Sequence, residues 1–451
     1  MLEFLNEVDA FVWGPPLLCL LVGTGIWLTI RLNMIQVLRL PLALKLIFKA
    51  KNEGHGDVDS FKALCTALAA TVGTGNIVGV ATAIKAGGPG ALFWMWMAAF
   101  FGMATKYAEG VLAVKYRTID ANGHIGGGPM YYIEKGLGRQ YRPLAIFFAV
   151  AGTICACFGS GTFTQVNAIV EITNAGAQIP VLYTSIALTV LVAVITLGGL
   201  KSIAVVADKI VPFMAALYVI TTMAILFMFR DALPGAIAMV LHDAFTGTAA
   251  TGGFLGATMM FAMRNGIARG LFSNESGLGS APIVAAAAKT KWPAEQGLIS
   301  MTGTFIDTIV ICTMTGLSIV ITETWNTGLE GVAITTAAFQ KGLPFPAQFA
   351  SFALMLCLVF FAFTTILGWD YYGERCLEYL FNRNMTAVKT YRWLYIICVF
   401  FGPYMTVAAV WNIADIFNAL MAFPNLIALL ALSGVVVKET KDFFKKHKNY
   451  E

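Results

Sequence analysis

Charged side chains are scarce in this chain of 451 residues, where Lys, Arg, Asp and Glu make up only 12% of the sequence. A soluble globular protein carries about twice that share, so a soluble domain with a charged surface is excluded. Apolar runs of about 20 residues, such as 11-FVWGPPLLCLLVGTGIWLTI-30, recur along the chain. Each run matches the roughly 30 Å hydrocarbon core of a bilayer. The sequence therefore predicts an all-α polytopic membrane protein.

Several other features are missing from the sequence, and each absence narrows the possible functions or the expected processing of the chain. The four histidines (His55, His124, His242 and His447) lie outside the apolar runs, so no His-containing catalytic centre within the membrane is indicated. The eight cysteines lack companion ligands at metal spacing. The acidic N-terminus lacks the basic region of a cleavable signal peptide. The basic residues lie in loops rather than in one patch, so nucleic-acid binding is not indicated.

Lys and Arg residues concentrate in every second loop, which fixes the predicted orientation. This asymmetry predicts an N-terminus outside and a C-terminus in the cytoplasm, and hence an odd number of spans. We predict eleven spans, near 10–31, 61–85, 90–115, 143–174, 180–199, 204–229, 250–288, 297–322, 346–372, 391–411 and 414–437.

An internal repeat appears when the sequence is compared with itself at an offset of 204 residues. The segment 73-GTGNIVGVATAIKAGGP-89 then lies over 277-GLGSAPIVAAAAKTKWP-293, with identical Gly, Lys and Pro residues at matched points. Chance similarity between Ala- and Gly-rich helices is the alternative interpretation. Because five spans separate the two copies, the second copy must be inverted, an arrangement typical of secondary transporters.

The predicted architecture is one N-terminal helix followed by a 5+5 inverted repeat with two broken helices. It divides the chain into an N-terminal helix with a cytoplasmic loop (1–58), a first five-helix repeat (59–232), an inverted second repeat (233–437) and a basic cytoplasmic tail (438–451).

The two glycine-rich breaks have a chemical use. A broken helix frees N–H groups, which suit a carboxylate, and C=O groups, which suit an ammonium group or Na⁺. The first break lies in 71-TVGTGNIVG-79, and the second lies in 272-FSNESGLGSAP-282, where Phe272 offers an aromatic wall. Two such breaks favour a zwitterionic ligand, namely a small amino acid. The alternative is that the glycines only allow close helix packing.

Charged residues within spans are costly and are therefore functional candidates. They are Glu171, Arg264, Arg269, Glu275 and Asp307, and the two arginines are expected to pair with Glu275 or Asp307. Charged residues near span ends are expected to be interfacial: Lys106, Glu109, Asp370, Glu374 and Asp415.

Two adjacent hydroxyls, Thr364 and Thr365, lie in the ninth span, one turn before Trp369. Paired hydroxyls at mid-membrane depth suit a Na⁺ ion completed by carbonyls of the first broken helix. The alternative is that they hydrogen-bond to their own helix.

The segment 87-GGPGALFWMWMAAFFG-102 resembles the signature of the alanine or glycine:cation symporter family (sodium:alanine symporters). Other blocks resemble that family along nearly the whole chain: 71-TVGTGNIVG-79, 126-GGGPMYYIEKGLG-138, 272-FSNESGLGSAPIVAAAAKT-290 and 411-WNIAD-415. The resemblance implies a leucine-transporter-like fold and Na⁺-coupled uptake of alanine and glycine across a prokaryotic cytoplasmic (inner) membrane. Na⁺ would be the coupling ion, and no organic cofactor is implied.

The resemblance also implies a site. The substrate would contact Thr74, Gly75 and Asn76 in the first break, Gln165 in the fourth span, Phe272 in the second break and Trp369 in the ninth span. Na⁺ would bind at Thr364, Thr365 and Gly73. The expected partners are the amino acid, Na⁺ and the lipid bilayer; the oligomeric state stays open, and a monomer fits the sequence.

Other functions stay open at this point. Symport with H⁺, carried by Asp307 or Glu275, is the alternative within transport. A channel or an amino-acid sensor is a different class, although no loop is long enough for an added sensor domain.

Overall fold

The computed structural model describes residues 2–50, 53–119, 124–246 and 255–447. Regular structure in these residues is almost entirely helical, which confirms the predicted all-α class. A two-stranded antiparallel ribbon joins Thr118–Ile119 (β1) to Ile125–Gly126 (β2).

The helices of the first half of the chain are these: α1 Leu2–Val12, α2 Pro15–Arg31, α3 Ile35–Leu38, α4 Leu40–Lys49, α5 Ser60–Thr71, α6 Val80–Gly87, α7 Gly90–Lys115, α8 Pro129–Tyr132, α9 Arg142–Phe158, α10 Phe163–Ala177, α11 Val181–Thr196, α12 Gly199–Met228 and α13 Leu233–Thr246. Two π-helical turns, Gly75–Gly79 and Ile133–Leu137, and a 3₁₀ turn, Arg139–Tyr141, interrupt them.

The helices of the second half are these: α14 Leu255–Asn274, α15 Ala281–Ala285, α16 Pro293–Thr304, α17 Thr313–Ile321, α18 Val332–Gly342, α19 Ala347–Leu380, α20 Met385–Phe401, α21 Val407–Ala431 and α22 Ser433–Lys446. A π-helix, Phe305–Cys312, connects α16 to α17, and 3₁₀ turns lie at Thr324–Asn326 and Gly402–Tyr404.

Six helical segments of the described chain are long and apolar enough to cross a membrane, and the bent pair of α5 with Gly75–Gly87 makes a seventh. The other four predicted spans coincide with α7, α11, the α14–α15 pair and α20. Of these, α11 and α20 are short, with 16 and 17 residues. The predicted span 250–288 begins in 247–254, which lies outside the described residues.

The first break separates α5 from the helix that follows it by a bend of 52°. Asp59 fixes where α5 begins, because its carboxylate accepts a hydrogen bond from the Lys62 amide at 2.8 Å. Gly75 permits a close approach to the second break, since a Cβ atom there would lie 3.0 Å from the Ser273 Cα. A side chain at this position would push the two breaks apart by a few tenths of an ångström.

The second break lies between α14 and α15 and depends on left-handed backbone turns. Glu275, Gly277 and Gly279 have φ angles of 56°, 89° and 85°. A glycine adopts such angles without a steric cost, whereas Glu275 does not, so the conformation of Glu275 must be held by its contacts. The prediction of two broken helices is confirmed, and the structure packs the two breaks against each other.

One end of the molecule, which the charge pattern predicts to be cytoplasmic, is closed by backbone pairing. The loop before α5 pairs with the segment that follows α15: the Asp57 amide donates to the Ala287 carbonyl, and the Lys289 amide donates to the Val58 carbonyl, both at 2.8 Å. This pairing joins the two broken helices at their predicted inner ends.

The Arg117 guanidinium, beyond the C-terminal end of α7, ties the same two segments together. Its two terminal nitrogens donate to four carbonyl oxygens at 2.7–2.9 Å, those of His55, Ala286, Ala288 and Thr290. Burial lowers the pKa of Arg117 from its ordinary value, and the nearby Asp57 carboxylate opposes that shift. The guanidinium nevertheless remains charged at neutral pH.

The backbone pairing predicts a large effect of Gly56→Ala. A Cβ atom at this position would lie 2.5 Å from the Lys289 amide nitrogen and 2.6 Å from the Ala288 carbonyl carbon, which cannot move without breaking the pairing. We expect the variant to lose about 1–3 kcal/mol of stability, as overpacked sites do, measured by thermal unfolding in detergent.

Gly434→Ala is the matched control, because Gly434 lies in α22 with no atom within 4 Å of an added Cβ. It should leave the unfolding temperature unchanged or raise it slightly. Equal unfolding temperatures for wild type and Gly56→Ala would contradict the described closure.

Candidate functional site

The first break forms a buried polar centre around 73–76. The Gly73 amide donates to the Asn76 side-chain oxygen at 2.9 Å, and the Thr74 amide donates to Gln165 Oε1 at 3.2 Å. Gln165, on α10, is held in turn by its own Nε2, which donates to the Ser160 carbonyl at 3.0 Å. Neutral amide oxygens therefore occupy the N–H end of the broken helix, where a carboxylate oxygen would also fit.

The Thr74 hydroxyl adds an unused group to this centre. Thr74 is fully buried, and its Oγ1 has no hydrogen-bond partner among the described residues. A buried hydroxyl without a partner carries a desolvation cost that a bound polar ligand would remove.

The Asp307 side chain connects the two breaks. Asn76 Nδ2 donates to Asp307 Oδ1 at 2.7 Å, while the hydroxyls of Ser273 and Thr308 donate to Oδ2 at 2.9 and 2.7 Å. Asp307 lies in the π-helix Phe305–Cys312, a local widening of the helix that often accompanies functional sites. One carboxylate therefore links the two breaks, so a movement of one break changes the contacts of the other.

Two charged residues of α7 fill the ends of the second break. Lys106 Nζ donates to the Asn274 carbonyl at 2.8 Å, and Glu109 Oε1 accepts from the amides of Gly277 and Gly279 at 3.1 and 3.2 Å. The cation thus lies at the C-terminal end of α14 and the carboxylate near the N-terminal end of α15, as the helix dipole favours.

The prediction that Lys106 and Glu109 are interfacial is wrong, because both side chains are buried at 2% and 0% exposure. Their positions in the other copy of the repeat, 204 residues on, hold Val310 and Thr313, which carry no charge. Charged side chains of the protein therefore bind the helix ends at the second break, whereas neutral amide side chains bind the N–H end at the first break.

An aromatic pair and an ion pair cover the centre on the side opposite to Arg117. The Phe272 ring lies 5.0 Å from the Trp411 ring, centroid to centroid, and the Arg269 guanidinium lies 5.6 and 5.1 Å from the two rings. Arg269 binds both oxygens of Asp415, at 3.1 and 2.6 Å. We refer to Phe272, Trp411, Arg269 and Asp415 as the roof.

The roof corrects two predictions. Arg269 was expected to pair with Glu275 or Asp307, and it pairs with Asp415 instead. Asp415 was expected to be interfacial, and it is buried at 4% exposure. Among the described residues, neither Glu275 nor Asp307 forms an ion pair with Arg264 or Arg269. Glu275 instead accepts a hydrogen bond from the Ser280 hydroxyl at 2.5 Å.

A cavity of about 540 Å³ lies beyond the roof. Its lining includes Arg269 and Trp411 of the roof, Thr164 beside Gln165, and Glu171, a charged candidate from the sequence. The cavity therefore leads from the predicted outer end toward the first break and stops at the roof. The sequence pointed to Trp411 only through the block 411-WNIAD-415.

The two threonines of the ninth span point in different directions. Thr365 Oγ1 donates to the carbonyl of Val72 at 3.4 Å and to that of Phe361 at 3.0 Å, so it faces the first break. Thr364 Oγ1 bonds to its own helix and faces Met214 Sδ, 3.5 Å away in α12. Consecutive residues of an α-helix differ by about 100° in direction, which explains the divergence.

Trp369 is buried near the second break. It lies next to Glu275, and its ring packs on Tyr372 with the centroids 5.6 Å apart. Trp369 therefore lies beside the second break, whose helix ends are already bound by Lys106 and Glu109, whereas Phe272 is part of the roof. Within the described residues, no three His, Cys, Asp or Glu side chains are grouped so that they could hold a metal ion.

Comparisons with known proteins agree on one family. A family model described as the sodium:alanine symporter family matches residues 1–451. An uncharacterized transporter of Haemophilus influenzae is 56% identical over 447 residues, which cover 99% of this chain and 97% of that protein. The sodium/alanine symporter AgcS of Methanococcus maripaludis is 48% identical over 455 residues, which cover 99% of this chain and 98% of that protein.

A solved structure of a Na⁺-coupled sialic acid symporter in a substrate-bound outward-open state is similar at a TM-score of 0.49 and 13% identity, covering 95% of this chain and 86% of that chain.

The filled second break predicts that Glu109→Gln destabilises the protein. The variant keeps an oxygen for the glycine amides but removes the charge that balances Lys106 and the helix end. Hydrogen bonds to charged groups contribute about 1.5–3 kcal/mol, so we expect a loss of that order in thermal unfolding.

Glu7→Gln, on the exposed side of α1, is the control and should change stability by about 0.5 kcal/mol or less. If Glu109→Gln unfolds at the same temperature as the control, the charge of Glu109 does not hold the second break.

Proposed function

This chain belongs to the sodium:alanine symporter family, and on that basis we propose that it imports small neutral amino acids, alanine and glycine, by Na⁺-coupled symport. It is a multi-pass membrane transporter and not an enzyme. The observation that supports the proposal best is the difference between the two breaks: charged side chains bind the helix ends of one, and neutral amide oxygens bind the N–H end of the other.

The amino acid would bind at the first break. Its carboxylate takes the place of Gln165 Oε1 on the Thr74 amide, where a charged acceptor gains more from the helix end than a neutral one does. Its ammonium group meets oxygens, among them the unpaired Thr74 hydroxyl. Thr74, Gly75, Asn76, Gln165 and Phe272 form the proposed contact set at the first break, and Trp369, which lies beside the second break, would have to reach the ligand from that side.

The size of the substrate follows from two close contacts. The backbone of Gly75 lies directly against Ser273 of the second break, and the Phe272 ring packs against Trp411 at a tilt of 37°, with the centroids 5.0 Å apart. Because these contacts crowd the proposed site, we favour a substrate whose side chain is a methyl group or a hydrogen atom, namely alanine or glycine.

The coupling ion would bind beside the substrate, between the first break and α19. The Val72 carbonyl and the Thr365 hydroxyl already face each other there, and the Gly73 carbonyl adds an oxygen of the kind that coordinates Na⁺ at unwound helices. Thr364 belongs to the proposed ligand set, but its hydroxyl must first leave the carbonyls of its own helix.

The described conformation fits one step of alternating access. The predicted inner end is closed by Arg117, and the outer cavity reaches the roof. In the proposed cycle, Na⁺ orders the first break, the amino acid binds, and the repeats then move so that the inner end opens. The membrane potential contributes about 2.3 kcal/mol per charge per 100 mV.

The proposed location is a prokaryotic cytoplasmic membrane, with the N-terminus outside, and Na⁺ is preferred over H⁺ as the coupling ion. Asp307 accepts hydrogen bonds on both oxygens, from Asn76, Ser273 and Thr308. The Asn76 amide must donate to Oδ1, and the two hydroxyls can donate to Oδ2, so these groups satisfy the ionised form of the carboxylate. This pattern disfavours Asp307 as the carrier of a coupling proton.

Labelled alanine taken up into proteoliposomes tests the function directly. With an inward Na⁺ gradient we expect accumulation above equilibrium, because each cycle carries Na⁺ down its gradient. Replacing external Na⁺ by choline at fixed pH should abolish the accumulation. Accumulation that persists in choline and follows a pH gradient would instead establish proton coupling.

Gln165→Glu tests the position of the substrate carboxylate. The variant puts a carboxylate of the chain next to the Thr74 amide, where it competes with the substrate, so we expect KM for alanine to rise at least about tenfold, or about 1.4 kcal/mol. Gln340→Glu, at an exposed position on α18, is the control. An unchanged KM in folded Gln165→Glu would mean that the carboxylate binds elsewhere.

A further inference from the structure

Asp370 differs from the other buried carboxylates described above. Its side chain is 1% exposed, and neither of its carboxylate oxygens has a hydrogen-bond partner among the described residues. By contrast, Asp307, Glu109 and Asp415 each accept hydrogen bonds from side chains or amides. The expectation that Asp370 is interfacial is therefore wrong, and its burial needs a separate explanation.

The charged residues nearest to Asp370 already balance one another. Glu374, one turn further along α19, binds Arg392 at 2.6 and 3.1 Å and lies 3.5 Å from Arg375. Arg375 also binds Glu378 at 2.7 Å. Two carboxylates and two guanidinium groups thus form a neutral network, and an ionised Asp370 would add one negative charge without a counter-charge.

Apart from Arg392, the described residues of the neighbouring helices offer Asp370 no counter-charge. The groups that face Asp370 are the thiol of Cys157 on α9 and the phenols of Tyr391 and Tyr395 on α20. Tyr391 donates to the backbone carbonyl of Asp370 at 3.3 Å, and Tyr395 donates to the carbonyl of Ile366 at 2.6 Å. Neither phenol is directed at the carboxylate.

An unpaired ion in such an environment is very costly, and a carboxylate avoids that cost by binding a proton. A metal cation would require several oxygen ligands, and the phenol oxygens are already engaged. We propose that Asp370 is a proton-binding site that is neutral in this conformation and that exchanges its proton with water at the predicted cytoplasmic end when the neighbouring Arg392–Glu374 ion pair shifts.

The described conformation holds no open route from Asp370, but a cavity lies next to its charged neighbours. Arg392 and Arg375 line a cavity of about 490 Å³ whose other charged residues include Asp57, Lys201 and Lys289. Asp370 does not line this cavity, but Glu374, which binds the cavity-lining Arg392, lies one turn further along α19. When the Arg392–Glu374 pair shifts and admits water, the O–H bond of Asp370 breaks and the proton passes to that water. The carboxylate that remains attracts Arg392, while Glu374 keeps Arg375 as its partner. No electron is transferred, and no further reactant is needed.

This site shares no residue with the proposed substrate and Na⁺ sites, and the inference goes beyond the proposed function. The link between the proton on Asp370 and the position of Arg392 would make transport sensitive to pH at the predicted cytoplasmic end. Rising pH would ionise Asp370 and destabilise the described conformation, so the stabilising effect of the bound proton is present at low pH and lost at high pH.

Infrared spectroscopy of the purified full chain tests the proton directly. The C=O stretching band of a neutral carboxylic acid should be present at pH 7 and lose intensity in Asp370→Asn. Asp370→Glu should shift that band rather than remove it. Asp415→Asn is the matched control: its carboxylate is buried but bound to Arg269, so the acid band should not change.

Loss of intensity from the ionised-carboxylate bands in Asp370→Asn, with the acid band intact, would overturn the proposal. A carboxylate band of Asp370 that shifts when Na⁺ is replaced by choline would reveal a cation site and would overturn it as well. Both spectroscopic results are independent of transport, so they test the proton site even if the proposed function is wrong.

Uptake measurements test the consequence. Asp370→Asn keeps a neutral group of the same shape, so Na⁺-driven uptake at pH 7 should stay within about twofold of wild type. The rate should vary with the pH inside wild-type proteoliposomes and should be flat in the variant. Equal pH dependence in the two proteins would overturn the proposed exchange.

Discussion

A backbone amide or carbonyl inside a membrane has no water to bond with, and each one left without a partner costs several kcal/mol. Both broken helices create such groups, and the rest of the structure is arranged around satisfying them. At the second break, Lys106 and Glu109 provide a permanent cation and anion. At the first break, Gln165 and Asn76 provide neutral oxygens, which an amino acid can replace because its charged groups bind the helix ends more strongly.

The close contact between the breaks makes their states interdependent. Gly75 lies against Ser273, and Asp307 accepts hydrogen bonds from Asn76 and Ser273 together. A ligand that reorders the first break therefore changes the environment of the second, which carries Phe272 of the roof. The same ligand can in this way favour closure at one end and release at the other, provided that it binds the two states with different affinity.

Local patterns in the sequence were sufficient to predict the helices and the two breaks, because hydropathy and glycine clusters act over a few residues. Contacts between distant elements were not accessible: Arg269 meets Asp415 from 146 residues away, and Lys106 reaches a carbonyl 168 residues away. One signal was available and missed. Thr364 and Thr365 are adjacent on a helix, so their hydroxyls had to diverge. The assignment of the substrate and Na⁺ residues stays a prediction.

Arg117 holds four carbonyls of two chain segments with one rigid, planar group. Three of these carbonyls, those of Ala286, Ala288 and Thr290, belong to the segment that follows α15, and one, that of His55, belongs to the loop before α5. Arg117 can therefore stay bound to the first segment when the loop moves away, because only the His55 bond and the backbone pairing have to break. The guanidinium would then keep the segment after α15 in shape, so that the returning loop closes the inner end in the same register.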